Sequence, residues 1–324
     1  MEEITVIIPN YNGIKFLEEC LEALLDQEEG TPDFRVLVVD NGSRDGSREV
    51  AARFPGVSLL ALDTNTGFCR GVNEGIRASD TPYVILLNND TRVRGHFVKG
   101  LYEAVCSSPS VFSVSARMLM WDRPELIDDA GDRYCALGWA YARGKGKPAS
   151  RYDSPAEIFS ACGGAAIYRR SILEEIGLFD EAHFAYLEDL DLGYRARLYG
   201  YRNLYEPSAE VLHYGSASSG SRYNEWKTSL AAANSVYVIA KNMPLLQLVW
   251  NLPLLLLGFS IKFLFFCRKG MGRIYLKGLW KGFGKIFSST GKMRKIPFQM
   301  KRLGCYFRVQ GQLYAGLMGI LKEY

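Results

Sequence analysis

Three short polar segments, each directly after a run of β-branched and aliphatic residues, have the residue types that could do chemistry in this sequence. ITVII is followed by PNYNG at residues 9–13, RVLVV by DNGSRDGS at residues 40–47, and YVILL by NND at residues 88–90. Carboxylates and amides there can accept N–H groups or bind a divalent cation. Each segment alone is also typical of a turn. Their recurrence after three runs favours a ligand site.

A fourth segment, YLEDLDLGYRARLYGY, places Glu188, Asp189 and Asp191 at the start of a predicted helix. A carboxylate within reach of a hydroxyl can act as a general base, and neighbouring acids raise one another's pKa. The structural alternative is that acids in the first turn stabilise the helix dipole. His213, which follows a strand-like run in VLHYG, is either a metal ligand or a structural hydrogen-bonding group.

The elements that must position these residues alternate between strands and helices in the first 120 residues. Buried strands are predicted at residues 4–8, 35–39, 57–61 and 83–87, and helices at residues 16–27, 46–53 and 68–78. This alternation predicts an α/β fold with a parallel sheet, which binds ligands at the carboxyl ends of its strands.

The pattern is weaker after Leu119. Residues 122–153 are expected to be mostly loop or short strands that cover a site, followed by a helix at about 187–199 and a strand near 203–205. Gly163 and Gly164, which have no side chains, would allow a ligand to approach the backbone closely, although a packing role explains them equally well.

Charge is distributed unevenly along the chain. Residues 241–324 contain 15 Lys and Arg but one acidic residue, so this tail carries +14 and the remainder carries −10. The tail indicates an anionic partner, and the lack of a nucleic-acid-binding motif favours an acidic membrane surface over nucleic acid.

An apolar run at residues 245–266 in this tail is long enough to cross a bilayer, but it contains Gln247, Asn251, Pro253 and Lys262. One crossing would separate the body from the basic tail, and both are expected on the cytoplasmic side. We therefore expect an interfacial or re-entrant helix, or a hairpin. The amphipathic residues 271–287 after it are expected to lie on the membrane surface or, alternatively, to cap the body.

Seven scattered cysteines without a CxxC pair predict a reduced, cytoplasmic chain with no structural zinc site. The sequence starts MEEITVIIPN, with acids where a secretory signal needs a basic leader. Both observations indicate action on the cytoplasmic side.

Taken in order, IPNYNG, VVDNGSRDGS, NTGFCRGVNEG, LLNND and YLEDLDLGYRARLYGY resemble glycosyltransferase family 2, and within it the rhamnosyltransferase-like subgroup. The resemblance spans roughly residues 4–219. It implies a GT-A fold, which is a Rossmann-like, mostly parallel sheet flanked by helices, with a nucleotide-sugar donor and inversion at the anomeric carbon. With the tail, it predicts a GT-A domain at residues 1–225 and a helical, basic, membrane-associating region at residues 226–324.

The resemblance also implies a donor site. Asp40 would accept the N3–H of a pyrimidine, with a turn-capping role as the alternative, and Arg70 would meet the diphosphate or remain a solvated helix residue. The implied donor-binding residues are Pro9, Asn10, Tyr11, Asp40, Asn41, Asn65, Gly67, Arg70, Asn88 and Asn89.

LLNND corresponds to the DxD motif of the family, but Asn88 stands at its first position, which leaves Asp90 as its certain carboxylate. By resemblance, Asp90 and His213 bind Mg²⁺ or Mn²⁺, which neutralises the leaving diphosphate. Asp189 would be the general base, Glu188 would orient the acceptor, and Asp191 would support the helix or the site wall.

The function implied is transfer of a sugar, with L-rhamnose from dTDP-rhamnose as the first expectation, to a lipid-linked saccharide or polysaccharide in cell-surface glycan synthesis. Other donors are UDP-GlcNAc, UDP-galactose and UDP-galactofuranose. A catalytically inactive nucleotide-sugar-binding membrane module is a further alternative. A sugar-phosphate nucleotidyltransferase is disfavoured, because the N-terminus has no Gly-rich, Lys-containing signature.

Overall fold

The computed structural model describes residues 3–215, 224–288 and 294–323, so the end of the family resemblance at residues 216–219 lies outside the described residues. Within them, ten strands form one mixed sheet and two form a separate hairpin. The sheet order is β10-β12-β6-β11-β4-β1-β2-β3, with β5 paired to β12 and β7 paired to β6. The strands are β1 (Ile4–Asn10), β2 (Phe34–Asp40), β3 (Val57–Ala61), β4 (Tyr83–Leu87), β5 (Thr91–Val93), β6 (Val111–Met120), β7 (Arg123–Asp129), β8 (Asp132–Tyr134), β9 (Ala140–Ala142), β10 (Ala156–Ile158), β11 (Ala165–Arg169) and β12 (Arg202–His213).

The parallel half of the sheet confirms the strands predicted from the sequence, but the predicted burial of residues 57–61 was wrong, because β3 lies at the sheet edge and none of its residues is buried. β1 pairs in parallel with both β2 and β4, and β2 pairs in parallel with β3. The register sets Asn10 opposite Asp40, so the polar residues that follow both strands meet at one edge. This edge holds the crevice in which open α/β sheets bind ligands.

The other half contains strands that the sequence pattern did not reveal. β11 lies antiparallel between β4 and β6, which makes the sheet mixed. The strand predicted near residues 203–205 is longer in the structure, where β12 spans Arg202–His213. Its pairing with β6 is irregular between Glu206 and Glu210, and this irregularity accommodates Pro207 within the strand. Residues 122–153 form β7, the β8–β9 hairpin and a short 3₁₀ helix. The short strands agree with the expectation for this segment.

Among the described residues, six helices belong to the sheet-containing part and four follow it. The predicted helices at 68–78 and about 187–199 are confirmed, the second beginning one residue later. The helices are α1 (Ile14–Leu25), α2 (Ser47–Ala52), α3 (Phe68–Ala78), α4 (Phe97–Cys106), α5 (Arg170–Ile176), α6 (Glu188–Tyr199), α7 (Glu225–Asn242), α8 (Leu245–Arg268), α9 (Gly272–Phe287) and α10 (Leu303–Glu323). All seven cysteines are free thiols, as their spacing predicted.

The C-terminal helices share a hydrophobic core with α6. Leu190 and Leu198 of α6 are buried in the same cluster as Val238 of α7, Leu255 of α8 and Leu313 of α10. The domain boundary at 225/226 therefore stays a prediction, since the helices beyond it pack on the predicted catalytic helix.

Helices α7 and α9 approach each other closely at two glycines. A Cβ at Gly282 would lie 2.6 Å from the Ala233 carbonyl oxygen, and one at Gly278 would lie 2.5 Å from that of Ser229. Gly284, two residues further along α9, has no heavy atom within 4 Å of such a Cβ. The glycines at 278 and 282 are thus needed for this contact, and Gly284 is not.

We expect Gly282→Ala to destabilise the protein by about 1–3 kcal/mol, because the methyl group forces the helices apart. The matched change Gly284→Ala should stabilise it by up to about 1 kcal/mol through helix propensity alone. Urea unfolding of both variants measures the difference. Equal effects of the two changes would show that α7 and α9 do not pack at this distance.

Helix α8 presents most of its apolar surface to solvent. Of the helices in the described ranges, it has the length and mean hydropathy, 1.8, that a bilayer crossing requires. Leu246 and Trp250 are 82% and 72% exposed, and Trp280 on α9 is 76% exposed. The predicted interfacial segment is thus one helix that continues through Pro253, and the predicted amphipathic segment is helix α9.

Candidate active site

Asp40 lies at the end of β2, fully buried and held on both carboxylate oxygens. Asn10 donates to Oδ1 at 3.0 Å, while the Ser43 backbone N–H and Arg48 Nε donate to Oδ2 at 3.0 and 2.6 Å. Burial opposes ionisation, but the hydrogen bonds from Ser43, Arg48 and Asn10 outweigh it and lower the pKa of Asp40. The structure therefore keeps this carboxylate ionised, in the form that accepts an N–H.

The amides near the other strand ends connect the predicted donor residues to each other. Asn10 accepts from Asn89 at 2.6 Å, which links the ends of β1 and β4. Asn88 donates its backbone N–H to the Gly164 carbonyl at 2.8 Å. Pro9 is half-buried, and Tyr11 is 43% exposed at the mouth of the crevice. The side chains of Asn10 and Asn89 are thus engaged within the protein, and Tyr11 is open to a ligand.

The loop before α3 is shaped by Asn41. Its amide donates to the Gly67 carbonyl at 3.0 Å and accepts from the Thr66 backbone at 2.9 Å, while Asn65 accepts from the Gly67 N–H at 2.9 Å. Gly67 has φ +88°, where a side chain is strained. Arg70 lies exposed on the first turn of α3, with its Nε 3.9 Å from Glu74. The Cys69 N–H in this first turn donates to the Phe184 carbonyl at 3.2 Å, so the guanidinium and the other first-turn N–H groups are the ones available to an anion.

Asp90 and His213 meet although they are far apart in sequence, because β5 pairs with the end of β12. Asp90 Oδ1 lies 3.5 Å from His213 Nε2. His213 Nδ1 donates to Asp128 Oδ2 at 2.8 Å, and Asp128 Oδ1 pairs with Lys145 at 2.5 Å. Burial would lower the pKa of His213, but the hydrogen bonds with Asp128 and Asp90 outweigh it and raise the pKa to about 9.

An Asp–His unit of this kind suits a divalent cation. Metal-binding histidines commonly donate their second ring N–H to a carboxylate, which fixes the ring orientation. Here Asp128 accepts that N–H, so Nε2 is directed to the side of Asp90. The raised pKa of His213 means that without a cation the ring is protonated beside Asp90, and a bound cation would displace the Nε2 proton. The donor set, one carboxylate and one imidazole, favours Mn²⁺ over Mg²⁺.

Asp189 lies in the first turn of α6, facing Gly163. Its Oδ2 accepts from the Gly163 N–H at 3.3 Å, and a Cβ at Gly163 would lie 3.7 Å from the Phe68 ring at the start of α3. Burial raises the pKa of Asp189. The structure thus brings the predicted base next to the helix N-terminus that follows Gly67.

Glu188 precedes Asp189 and is buried, and its Oε2 has no hydrogen-bond partner among the described residues. Burial, together with the charge of Asp189, raises the pKa of Glu188 to about 8. The raised pKa favours the protonated form of Glu188, whose carboxyl group can donate as well as accept a hydrogen bond.

The loop that leads into this pair has an unusual backbone. Phe184, Tyr186 and Leu187 have φ of 63°, 67° and 66°, a region that side-chain-bearing residues rarely adopt. Each such residue costs about 1–3 kcal/mol, and strain of this kind collects at functional sites. A Cβ at Gly67 would lie 2.6 Å from the Phe184 ring, so the strained loop also contacts the predicted diphosphate site.

A second group of possible ligands, Asp180, His183 and Asp191, has ligand atoms within 4.8 Å of one another. The ammonium of Lys241 lies 2.8 Å from Asp180 and from Asp191, and Arg195 also pairs with Asp191 at 3.0 Å. Since side-chain cations already balance these carboxylates, the group is a buried ion-pair network and fits a metal poorly. Asp191 therefore supports α6, one of the two roles expected for it.

Comparison with known proteins agrees with this geometry. A sequence model described as "Glycosyl transferase family 2" matches residues 5–177, more than half of the chain. The chain belongs to glycosyl transferase family 2. Within this family it is 32% identical over 214 residues to the N-acetylglucosaminyl-diphospho-decaprenol L-rhamnosyltransferase of Mycobacterium tuberculosis, covering 57% of this chain and 68% of that protein. It is a glycosyltransferase.

Solved structures confirm the GT-A fold of this family 2 enzyme. A structure of GalNAc-T7 with UDP, GalNAc and Mn²⁺ matches with a TM-score of 0.60 at 16% identity, over 74% of this chain and 48% of that one. The mannosyltransferase PcManGT from Pyrobaculum calidifontis, in complex with GDP-Man and Mn²⁺, matches with a TM-score of 0.53 at 16% identity, over 98% and 87%.

Several residues of the site were not predicted from the sequence of this family 2 enzyme. Asp128 and Lys145 come from the segment expected to be mostly loop. Ser43 comes from within the DNGSRDGS motif, and Arg48 directly follows it. For Asp128, the sequence signal was the pair of neighbouring acids Asp128–Asp129 at the end of β7. No local pattern marks Lys145 as its partner.

Proposed function

We propose that this enzyme transfers L-rhamnose from dTDP-L-rhamnose to a lipid-linked saccharide by a single displacement with inversion. One observation carries the mechanism: Asp189 contacts Gly163, which adjoins the Phe68 ring at the N-terminus of α3. In the proposed complex the carboxylate would face an acceptor hydroxyl while the sugar diphosphate rests on α3. The choice of rhamnose and of a lipid-linked acceptor is supported by the 32% identical relative.

The donor would be held by both ends of the crevice. Asp40 accepts the N3–H of the base, with its ionised form maintained by Ser43, Arg48 and Asn10. Tyr11 covers the base at the mouth of the crevice, and the backbone around Gly67 together with Arg70 meets the diphosphate. Asn41 and Asn89 act by holding these segments in place.

Asp90 and His213 would hold a divalent cation, which when bound offsets the charge that develops on the departing diphosphate. Asp128 keeps Nε2 of His213 directed to the side of Asp90. Asp189 removes the proton of the acceptor hydroxyl on the opposite face of the sugar, and Glu188 hydrogen-bonds the acceptor.

Asp128→Asn is expected to raise the Mn²⁺ concentration for half-maximal activity by about 10- to 100-fold, the usual effect of losing such an outer carboxylate. Lys145→Met, which leaves the bond between Asp128 and His213 intact, should have a much smaller effect. Metal titration of the activity compares the two. Equal metal requirements in both variants would argue against His213 as a ligand.

The membrane-facing part of the proposal rests on α8, α9 and the basic tail. The exposed apolar residues of α8 and Trp280 of α9 belong to residues 241–324, which carry a net charge of +14. This combination suits contact with the anionic lipid of the cytoplasmic leaflet. Such contact would bring the crevice near a lipid-linked acceptor.

A panel of nucleotide sugars tests the proposed reaction. Each donor is supplied with membrane lipid extract and Mn²⁺ or Mg²⁺, and released nucleoside diphosphate is measured. We expect dTDP-L-rhamnose to turn over, with loss of turnover in the presence of a chelator. Turnover of a UDP-sugar alone would refute rhamnose as the donor, and binding without turnover would favour an inactive binding module.

A further inference from the structure

The strained loop before the catalytic pair is held from outside by two C-terminal helices. Asn234 of α7 places Nδ2 within 3.0 Å of three loop carbonyl oxygens, those of residues 183, 185 and 186. Lys285 of α9 donates to the Asn234 Oδ1 at 2.7 Å and to the Ala182 carbonyl at 2.7 Å. The lysine therefore fixes the orientation of the amide that binds the loop.

Both ends of the loop are attached to α7 as well. Asp180, which precedes the loop, and Asp191, which follows it in α6, each lie 2.8 Å from the ammonium of Lys241. Trp226, at the start of α7, contacts the rings of Phe184 and Tyr186. Helix α7 thus restrains the loop at its middle and at both of its ends.

The residue types of the loop do not explain its conformation. Phe, Tyr and Leu have no preference for the left-handed region, so positive φ at residues 184, 186 and 187 persists only under external restraint. The carbonyl oxygens that Asn234 binds belong to the residues directly before these three. If they were released, the backbone could relax to negative φ, and Leu187 would rotate the peptide that leads into Glu188 and Asp189.

We propose that Asn234 and Lys285 are positioning residues that hold the loop at residues 183–187 in the conformation that presents Asp189 to the acceptor. This inference rests on the proposed role of Asp189 as base. It assigns the C-terminal helices a part in catalysis, in addition to the membrane contact proposed for them.

Donor binding should depend less on this restraint. Phe184 contacts Gly67 and accepts the Cys69 N–H at 3.2 Å. The position of Gly67 is also fixed by Asn41 and Asn65 from the other side. Removing the restraint is therefore expected to lower kcat more than it weakens the donor, which distinguishes a positioning role from general loss of structure.

The test compares Lys285→Met with Lys281→Met, an equal loss of charge on the same helix at an exposed lysine bonded to Ser229. We expect Lys285→Met to lower kcat by about 10- to 100-fold, since small displacements of a catalytic group have effects of this size. Binding of the nucleoside diphosphate with Mn²⁺, measured by calorimetry, should stay within about twofold of wild type, a factor worth about 0.4 kcal/mol. Lys285→Arg should recover most of the lost kcat.

Assays are run well below the unfolding temperature of each variant, and Asn234→Ser serves as the second variant if Lys285→Met does not fold. A kcat for Lys285→Met equal to that of Lys281→Met would overturn the inference. So would a loss of diphosphate binding as large as the loss of kcat. Asp189→Asn is measured in parallel: if it retains turnover the proposed base is wrong, whereas an inactive Asp189→Asn beside a fully active Lys285→Met removes only the positioning role.

Discussion

Asp189→Asn is expected to lower kcat by about 10²- to 10⁴-fold, the contribution of a positioned general base. Asparagine keeps the size of the side chain, and its Oδ1 can still accept the Gly163 N–H that now holds the carboxylate. Binding of the nucleoside diphosphate should therefore remain close to that of wild type. Steady-state kinetics measure kcat, and calorimetry on the same preparations measures binding of the nucleoside diphosphate.

The pH dependence provides a second readout for the base. Burial raises the pKa of Asp189, so protonation removes the base at a higher pH than for an ordinary aspartate. Wild-type kcat should fall on the acidic side as Asp189 takes up a proton, and this acid limb should be missing in Asp189→Asn. An unchanged acid limb in the variant would show that another group titrates.

Two further variants provide comparisons for the loss of kcat in Asp189→Asn. Glu188→Gln should lose less activity than Asp189→Asn, since burial and the charge of Asp189 raise the pKa of Glu188 and favour the neutral form that glutamine resembles. Asp80→Asn, which removes an exposed carboxylate paired with Arg35, should leave kcat unchanged. Equal losses in Glu188→Gln and Asp189→Asn would assign the proton transfer to the pair and not to Asp189.

Lys241→Met is expected to destabilise the protein by about 3 kcal/mol, because removing one partner of a buried ion pair leaves charges uncompensated. Lys241 is buried between Asp180 and Asp191, and methionine has a similar length without the charge. Arg195 and Arg294 still pair with the two carboxylates, which keeps the loss at the lower end of the usual range. Urea unfolding measures the change.

The control for this prediction is Lys281→Met, an exposed lysine whose loss should change stability by less than about 0.5 kcal/mol. If Lys241→Met also changes the free energy of unfolding by less than about 0.5 kcal/mol, the ion pairs of Lys241 do not join α7 to α6. A large loss restricted to Lys241→Met would explain why the C-terminal helices and the catalytic helix form one packed unit.

The sequence could predict the elements and residues whose signal is local. The strands at residues 57–61 and 83–87 have the predicted bounds, because short aliphatic runs with polar ends are typical of strands. Residues 83–87 are buried as predicted, whereas 57–61 form the edge of the sheet and none of them is buried. Asp40 and Asn10 come together because parallel pairing aligns the carboxyl ends of their strands. Asp90 and His213, identified through the family resemblance, also meet, through the pairing of β5 with β12.

The remaining parts of the site depend on contacts that no local pattern records. His213 and Asp128 are 85 residues apart, and Lys285 and Asn234 are 51 apart. The left-handed conformation of Phe184, Tyr186 and Leu187 runs against their residue types, so propensity predicts the opposite backbone. Tertiary contacts determine the conformation at these positions, and those contacts are known only from the three-dimensional arrangement of the helices.

The anomeric configuration of the product tests the central claim most directly. The product that wild-type enzyme forms from dTDP-L-rhamnose and a lipid-linked acceptor is isolated, and its anomeric configuration is compared by NMR with that of the donor. A single displacement with Asp189 as base predicts inversion. Retention of configuration would contradict the account, because it requires a second displacement and a nucleophile for which Asp189 alone does not suffice.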